Sequence, residues 1–540
     1  MPDHTPLRAA DVLARRLAEA GVRRAWGMPG GEVLTLVDAL ERAGIECVLC
    51  RHETAAGFMA EADWHATGAP GVMLATLGPG AMNGVNAVAN AHQDRVPLIV
   101  LTGCVDEDEA ATYTHQVLDH RAVLAPITKA TMRLSAGTAG VIADRAVAIA
   151  TSGRRGPVHV DVPIGAAAAA ASGPDPRRAA PLPAVPDPAS IARMRSALEG
   201  AERPLVLAGL DAMDGPAPGA VRALAEAIAA PVITTYKAKG VIDEGHPLAL
   251  GGAGLSPLAD GILLPLVRRA DAILLAGYDP IEMRPGWRDA WDPYAQAVID
   301  LSAAPNDHDM HHATISAVGD VAAALALLAD DIADGPPRGW SREVAAAREA
   351  LAAAFPADED WGPAAIVDEA RRALPDGTRA TADSGAHRIL LSQMWRCEAP
   401  RGLIQSSGLC TMGCGVPLAI GAAIAEPDRP VVAFTGDAGF LMAPGDLATA
   451  AERGARPIVI VFVDASLSLI EAKQRARQLP NRMVDFPAPD VAAMGRALGG
   501  AGRDVRSREE LRAALAEARE APTFTVIAAH IDRGAYDGRI

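Results

Sequence analysis

Residues 431–466 read VVAFTGDAGFLMAPGDLATAAERGARPIVIVFVDAS. The stretch opens on an apolar run, VVAF, that suits a buried strand. It turns through Gly436, Asp437, Ala438 and Gly439, passes through a helix-like segment, and returns to a second apolar run, PIVIVFV, ending at Asp464. Continuous apolar strands joined by helical segments point to a parallel sheet covered on both faces. The pattern recurs in GVMLATLG, PLIVLTG, PVHVDVP, PLVLAG, DAILLAG and TFTVIAA. The expected class is therefore α/β, with doubly wound parallel-sheet domains. Two composition breaks, 165–189, rich in Ala and Pro and without periodicity, and 335–363, which holds GPPRGW, a helix and then FPADEDWGP, divide the chain into three parts. The expected domains are 1–170, 185–335 and 355–540. The first and third look alike, since each places a Gly-rich turn after a strand.

Several function classes fall away on composition. A chain of 540 residues is too long for one core. Its net charge of −16 argues against nucleic acid and anionic membranes as partners. No segment is apolar and long enough to span a bilayer, and MPDHTPLRAADVLARRLAEAG reads as a helix rather than a signal peptide. A cytoplasmic location is expected. Six cysteines do not make a disulfide framework. Cys47 and Cys50 form a CxxC in a strand-like run, where they face opposite ways, and no second pair completes a zinc site. In NDHDMHH (306–312), His308, His311 and His312 read as a surface loop away from the other motifs. No Walker A or GxGxxG pattern stands in the required context.

Asp437 and Asp464 sit just past two strands whose ends can lie side by side, where ligands of open α/β sheets bind. Two facing carboxylates repel without a cation. Mg²⁺ beside a phosphate ligand resolves that, and helix or turn capping is an equal alternative on spacing alone. Gly78, Pro79 and Gly80 form a tight turn at a helix start that can hold an anion or a polar ligand edge. Glu53 opens a helix among Thr54, Ala55, Ala56 and Gly57. It reads as a helix-end acid or as a partly buried acid suited to proton transfer. Met412, among glycines, reads as packing or as a support for a flat ring.

The motifs GMPGG (27–31), RHE (51–53), LGPGAMNG (77–84), THQVLDH (114–120), DSGAH (383–387), SSGLCTMGCGVP (406–417) and GDAGF (436–440) occur in order across nearly the whole chain. In this order they resemble the thiamine-diphosphate-dependent (ThDP-dependent) enzymes of the acetolactate synthase and pyruvate oxidase family. The resemblance implies a pyrimidine-binding first domain, a central domain, and a diphosphate- and Mg²⁺-binding third domain. It implies catalytic roles for Glu53, beside the aminopyrimidine, and for Gln116. It places Gly78, Pro79, Gly80, Asn83, His387, Ser406, Leu409, Met412, Gly436, Asp437, Ala438, Gly439, Asp464 and Ser466 around the cofactor. Asp437, Asp464 and the main-chain oxygen near Ser466 would be the Mg²⁺ ligands. It also implies a homodimer at least, or a homotetramer, in which Glu53 serves a cofactor held by the neighbour's Asp437.

Two departures refine this. Ala438 stands where most members have Gly, a modest change if φ is negative. Asp464 stands where most have Asn, as in the catabolic, FAD-independent acetolactate synthases, which TTYKAKG (234–240) and AGYDPIEMRPGW (276–287) also resemble. FAD is expected to be absent. The residue near Leu467 is usually aromatic, which leaves the substrates open, and Lys473 and Gln474 read as a solvated helix face. The expected activity is decarboxylation of a 2-oxo acid, pyruvate first, and carboligation to a second carbonyl. The alternatives are a ThDP decarboxylase or carboligase for a specialised 2-oxo acid, and a non-catalytic ThDP-binding subunit.

Overall fold

In a computed structural model describing residues 7–172, 182, 184–306, 309–330, 332 and 340–540, the apolar runs are strands and every ladder between them is parallel. The first sheet holds β1 (Arg24–Met28), β2 (Glu46–Leu49), β3 (Gly71–Ala75), β4 (Leu98–Cys104), β5 (Ala130–Arg133) and β6 (Val158–Pro163) in the order β2-β1-β3-β4-β6-β5. The second holds β7 (Pro204–Ala208), β8 (Val232–Thr235), β9 (Ala249–Ala253), β10 (Ala272–Ala276), β11 (Ala297–Ser302) and β12 (Ile315–Val318), ordered β12-β11-β10-β7-β8-β9. The third holds β13 (Arg379–Ala382), β14 (Leu403–Gln405), β15 (Val431–Gly436), β16 (Ile458–Val463), β17 (Ala501–Val505) and β18 (Thr525–His530), ordered β14-β13-β15-β16-β18-β17. The fold is α/β with three doubly wound sheets, as expected.

Central strands such as β4 and β16 are buried at every residue, which is why they read as unbroken apolar runs. The first and third sheets share one core. Helix Glu53–Thr67 contributes Phe58 and Met59 to it, and helix Gly415–Ala425 contributes Leu418 and Ile420. The second helix is buried from Gly415 through Ala423 because it is covered on all sides. Gly421 permits this: a Cβ there would stand 2.5 Å from the Met59 carbonyl oxygen. No helix among the described residues is long and apolar enough to cross a membrane.

Of the aperiodic stretch 165–189, residues 173–181 and 183 lie outside the described residues; its ends belong to helices Ile164–Ala168 and Pro188–Glu199. In 335–363 the helix expected after GPPRGW is Ser341–Ala354. The six cysteines are free, with Cys50 buried and Cys47 half-buried. His308 lies outside the described residues. His311 packs between Tyr278 and Trp291 and bonds the Trp287 carbonyl at 2.8 Å, which is a structural role.

Candidate active site

The third sheet ends in three aspartates, not two. Asp383, Asp437 and Asp464 each follow directly on one of three neighbouring strands, β13, β15 and β16. The chain reverses its winding between β13 and β15, so they stand at the sheet's switch point. Asp437 accepts the Ala465 N–H at 2.7 Å and the Ala438 N–H at 2.8 Å. Asp464 accepts the Ser466 N–H at 3.2 Å and the Ser468 hydroxyl. Burial raises the Asp437 carboxyl against those N–H bonds. Burial, opposed by the Ser468 hydroxyl and reinforced by the Asp437 charge, pushes Asp464 up to about 6. This pair would be relieved by a cation. Among the described residues no three or more His, Cys, Asp or Glu gather as a metal site, so a cation here would need ligand or main-chain oxygens as well.

Ala438 is absent from the non-glycine residues at positive φ, and its methyl is accommodated in the short turn of helix that Asp437 begins. Ala465 is at φ 56°, a left-handed conformation that costs energy for a residue with a Cβ. The Asp437 carboxylate on its N–H and Arg533 on its carbonyl hold it there.

The fit of an anionic ligand rests on two orphaned atoms. His387 Nε2 and Ser384 Oγ are buried without hydrogen-bond partners. The His387 ring stacks on Phe462 at 5.2 Å and faces Gly436, whose missing Cβ would lie 3.9 Å from it. Burial, with the Arg388 charge beside it, lowers His387 to about 3, so the imidazole is neutral, and the Ser384 hydroxyl is the donor left free for a ligand. A diphosphate and its cation suit this lining.

Asp383 is the residue that sequence reading left without a role. It is fully buried and accepts N–H bonds from Gly413 at 2.9 Å, Ser384 at 3.0 Å and Cys414 at 3.2 Å, and the Thr435 hydroxyl at 3.0 Å. It thereby joins DSGAH, the Met412 turn and β15. A Cβ on Gly439 would stand 1.9 Å from its Oδ2, which explains that glycine. The sequence signal was weak, because the strand before it, β13, reads RATA rather than an apolar run.

Loop 406–414 is fixed from two other domains. Ser406 donates to Asn90 at 2.6 Å and receives the Thr411 N–H at 2.8 Å. Asp94 receives Ser407 N–H at 3.0 Å, Gly408 N–H at 2.8 Å and Lys237 Nζ at 2.6 Å. Lys237 also reaches the Gln405 carbonyl at 2.5 Å. Leu409 is exposed and Met412 half-buried on this braced loop. Lys237 lies within TTYKAKG, but its pairing with Asp94 left no local signal, because the two residues lie in different domains.

In the first domain Glu53 is the first residue of its helix, capped by the His52 ring. Glu53 is 4% exposed and accepts the Asn83 amide at 3.0 Å. No cation pairs with it among the described residues. A Cβ on Gly80 would lie 3.2 Å from its other oxygen. Pro79 opens the short helix Pro79–Asn83. Gly78, at φ 59°, donates its N–H to His120 Nε2 at 3.0 Å, and His120 Nδ1 bonds Asp161 at 3.0 Å. Burial works against the Asp161 carboxylate, but His120, His159 and Thr102 hold it well below the usual range. Gln116, exposed and at φ 58°, lies over this turn, its Cβ 3.0 Å from where a Gly78 Cβ would be. Among the described residues no hydrogen bond or ion pair within one chain joins the Glu53 group to the Asp437 group. Lys473 is exposed as expected, whereas Gln474 folds back on the Arg482 carbonyl at 3.0 Å.

Two buried acid centres at the carboxyl ends of twin sheets, one neutral-lined and one anion-accepting, agree with the family models. The thiamine pyrophosphate enzyme N-terminal TPP-binding domain matches residues 7–123, the central domain 191–328, and the C-terminal TPP-binding domain 383–529. The chain belongs to the thiamine pyrophosphate enzyme family and is a ThDP-dependent enzyme. Within it the chain is acetolactate synthase-like. It is 30% identical to an acetolactate synthase of Bacillus subtilis over 97% of this chain and 93% of the relative. It is 29% identical to the catabolic acetolactate synthase of Raoultella terrigena, over 97% and 95%. It is 31% identical to a Pseudomonas aeruginosa protein named "Probable 2-ketoarginine decarboxylase AruI", over 95% and 92%.

Proposed function

We propose that this chain decarboxylates a 2-oxo acid, pyruvate in the simplest case, and joins the remaining acyl unit to a second carbonyl, as the acetolactate synthase relatives' name describes. The observation that carries the reading is Glu53, a buried carboxyl held by a neutral amide and free of any cation among the described residues. Such a group can pass a proton to and from a ring nitrogen. Bound ThDP supplies the carbon nucleophile. Glu53 would orient the aminopyrimidine and relay its proton, Gln116 would face the reacting centre from above the Gly78 turn, and Met412 would support the cofactor. Asp437, Asp464 and the main chain near Ser466 would hold Mg²⁺, with His387 and Ser384 lining the diphosphate site.

The assembly is a homodimer, or a homotetramer built from it, with Glu53 of one chain completing its neighbour's site. Exposed Leu34, Leu441, Met442 and Met483, on or next to the site segments, support this as apolar surface for a second copy. FAD is not part of the enzyme. In support, the carboxyl end of the central sheet is filled by the chain's own groups, with Arg95 bridging Asp211 and Asp279 and Lys237 on Asp94. The test is carbon dioxide release and product analysis on pyruvate and a panel of 2-oxo acids, with ThDP and Mg²⁺ supplied. Release from none of them, with ThDP bound, would instead support a non-catalytic binding subunit.

A further inference from the structure

Four arginines are buried among the described residues: Arg16, Arg95, Arg379 and Arg388. Three are paired with carboxylates: Arg16 with Asp144, Arg95 with Asp211 and Asp279, and Arg379 with Glu426. Arg388 has no carboxylate within ion-pair distance among the described residues. Its Nη1 donates to the Ser406 carbonyl, its Nη2 to Cys410 Sγ at 3.4 Å, and its guanidinium lies 5.8 Å from the Tyr236 ring centre. Its Nε has no partner. A second guanidinium, that of exposed Arg284, donates to the same sulfur at 3.8 Å and likewise has no carboxylate partner among the described residues.

Neutral acceptors do not compensate a buried charge, so an uncompensated guanidinium is costly unless an anion completes it. Both cations converge on Cys410, which is half-buried and lies two residues before Met412 on the braced loop. Arg388 follows His387 directly, yet its contacts are Tyr236, Ser406 and Cys410 rather than Gly436.

We propose that Arg388 and Arg284 form a subsite for an acidic group on the substrate, so that the donor is a 2-oxo acid with a second carboxylate that stays on the molecule. This rests on the decarboxylation reading above and narrows its donor from the simplest case, pyruvate, to a 2-oxo diacid. Planar guanidiniums suit a carboxylate through paired N–H donors. Two positive charges would reject a cationic donor such as 2-ketoarginine.

The test compares carbon dioxide release from 2-oxoglutarate and 2-oxobutyrate by the ThDP- and Mg²⁺-loaded enzyme and by R388Q and R284Q. The expected result is a preference in kcat/KM for 2-oxoglutarate that falls by about 10- to 100-fold in R388Q and by less in R284Q. ThDP affinity should be unchanged in both. Equal use of the two acids by the wild type, or a variant loss shared equally by both, overturns the proposal. So does weakened ThDP binding in R388Q with the preference intact, since the guanidinium would then serve the diphosphate. R284Q alters an exposed side chain and keeps the test open should R388Q not fold. If neither acid releases carbon dioxide, calorimetric binding of 2-oxoglutarate that is lost in R284Q upholds the subsite while the reaction fails; no binding overturns the subsite.

Discussion

The sheet of residues 24–163 and the sheet of residues 379–530 follow the same strand order, and their carboxyl ends differ in kind. The third sheet places an Asp directly after each of three neighbouring strands. Their partners are backbone N–H groups and hydroxyls, and burial raises all three carboxyls. The first sheet places one carboxyl four residues past β2, at a helix start, and surrounds it with a neutral amide and glycines. One plan thus yields two environments. The third-sheet end suits a fixed cation and anion, and the first-sheet end suits a proton that moves.

The largest effect should come from the first sheet. Glu53→Gln keeps the shape and an acceptor for Asn83 but cannot exchange a proton. Turnover should fall by about 10³-fold, within the usual range for a lost acid–base group, while ThDP affinity stays within a few-fold. Loss of ThDP binding instead would break the division between the two ends. Asp437→Asn should show the reverse pattern. Mg²⁺-dependent ThDP affinity should fall by about 10- to 100-fold, and saturating cofactor should restore much of the turnover. Chelation should mimic the variant in the wild type and add little to the variant itself.

The fold was legible wherever burial makes strands apolar throughout. VVAF and PIVIVFV are buried on both faces, and their character survives in sequence. Short or edge strands were not: β17, AGRDV, carries two adjacent charged residues and no apolar run because it is half-exposed at the sheet edge. In the site, Asp437 and Asp464 were legible as acids after strands. Asp383 was less so, since its strand, RATA, carries an arginine and a threonine and forms no apolar run. The Asp94–Lys237 clamp and the Arg388–Cys410 contact were not legible, since they join residues 143 and 22 positions apart in sequence that only tertiary packing brings together.

A matched pair of glycines sharpens the contrast. A Cβ at Gly439 would lie 1.9 Å from Asp383 Oδ2 and 2.9 Å from Thr435 Oγ1, both buried and bonded to each other. A Cβ at Gly80 would meet the Thr76 methyl at 2.9 Å, Glu53 Oε1 at 3.2 Å and, at ordinary contact, Ala75 Cβ at 3.7 Å. Gly439→Ala should therefore cost about 1–3 kcal/mol and weaken ThDP binding by about tenfold as Asp383 is displaced. Gly80→Ala should be milder in melting temperature and act on kcat through Glu53. Equal losses in ThDP affinity for the two variants would count against separate tasks at the two ends.

The central sheet is the control for this comparison, because its carboxyl end carries buried acids without the site motifs. Glu282 is 1% exposed, accepts the Thr235 hydroxyl, and has one oxygen without a partner. Burial pushes its carboxyl from 4.5 up to about 8, with Asp279 adding to the rise and Thr235 opposing it. The folded form therefore keeps a proton that the unfolded chain loses above about 4.5. Stability should fall as pH rises from about 4.5 to 8 and change no further beyond that range. Glu282→Gln removes this dependence. The variant should melt at nearly the wild-type temperature at pH 5 and clearly above it at pH 8, as read by calorimetry. ThDP affinity should stay within about twofold, since Glu282 bonds Thr235 and touches neither acid centre. A large loss of ThDP affinity in this variant would tie the cofactor to the central sheet and undo the two-ended division.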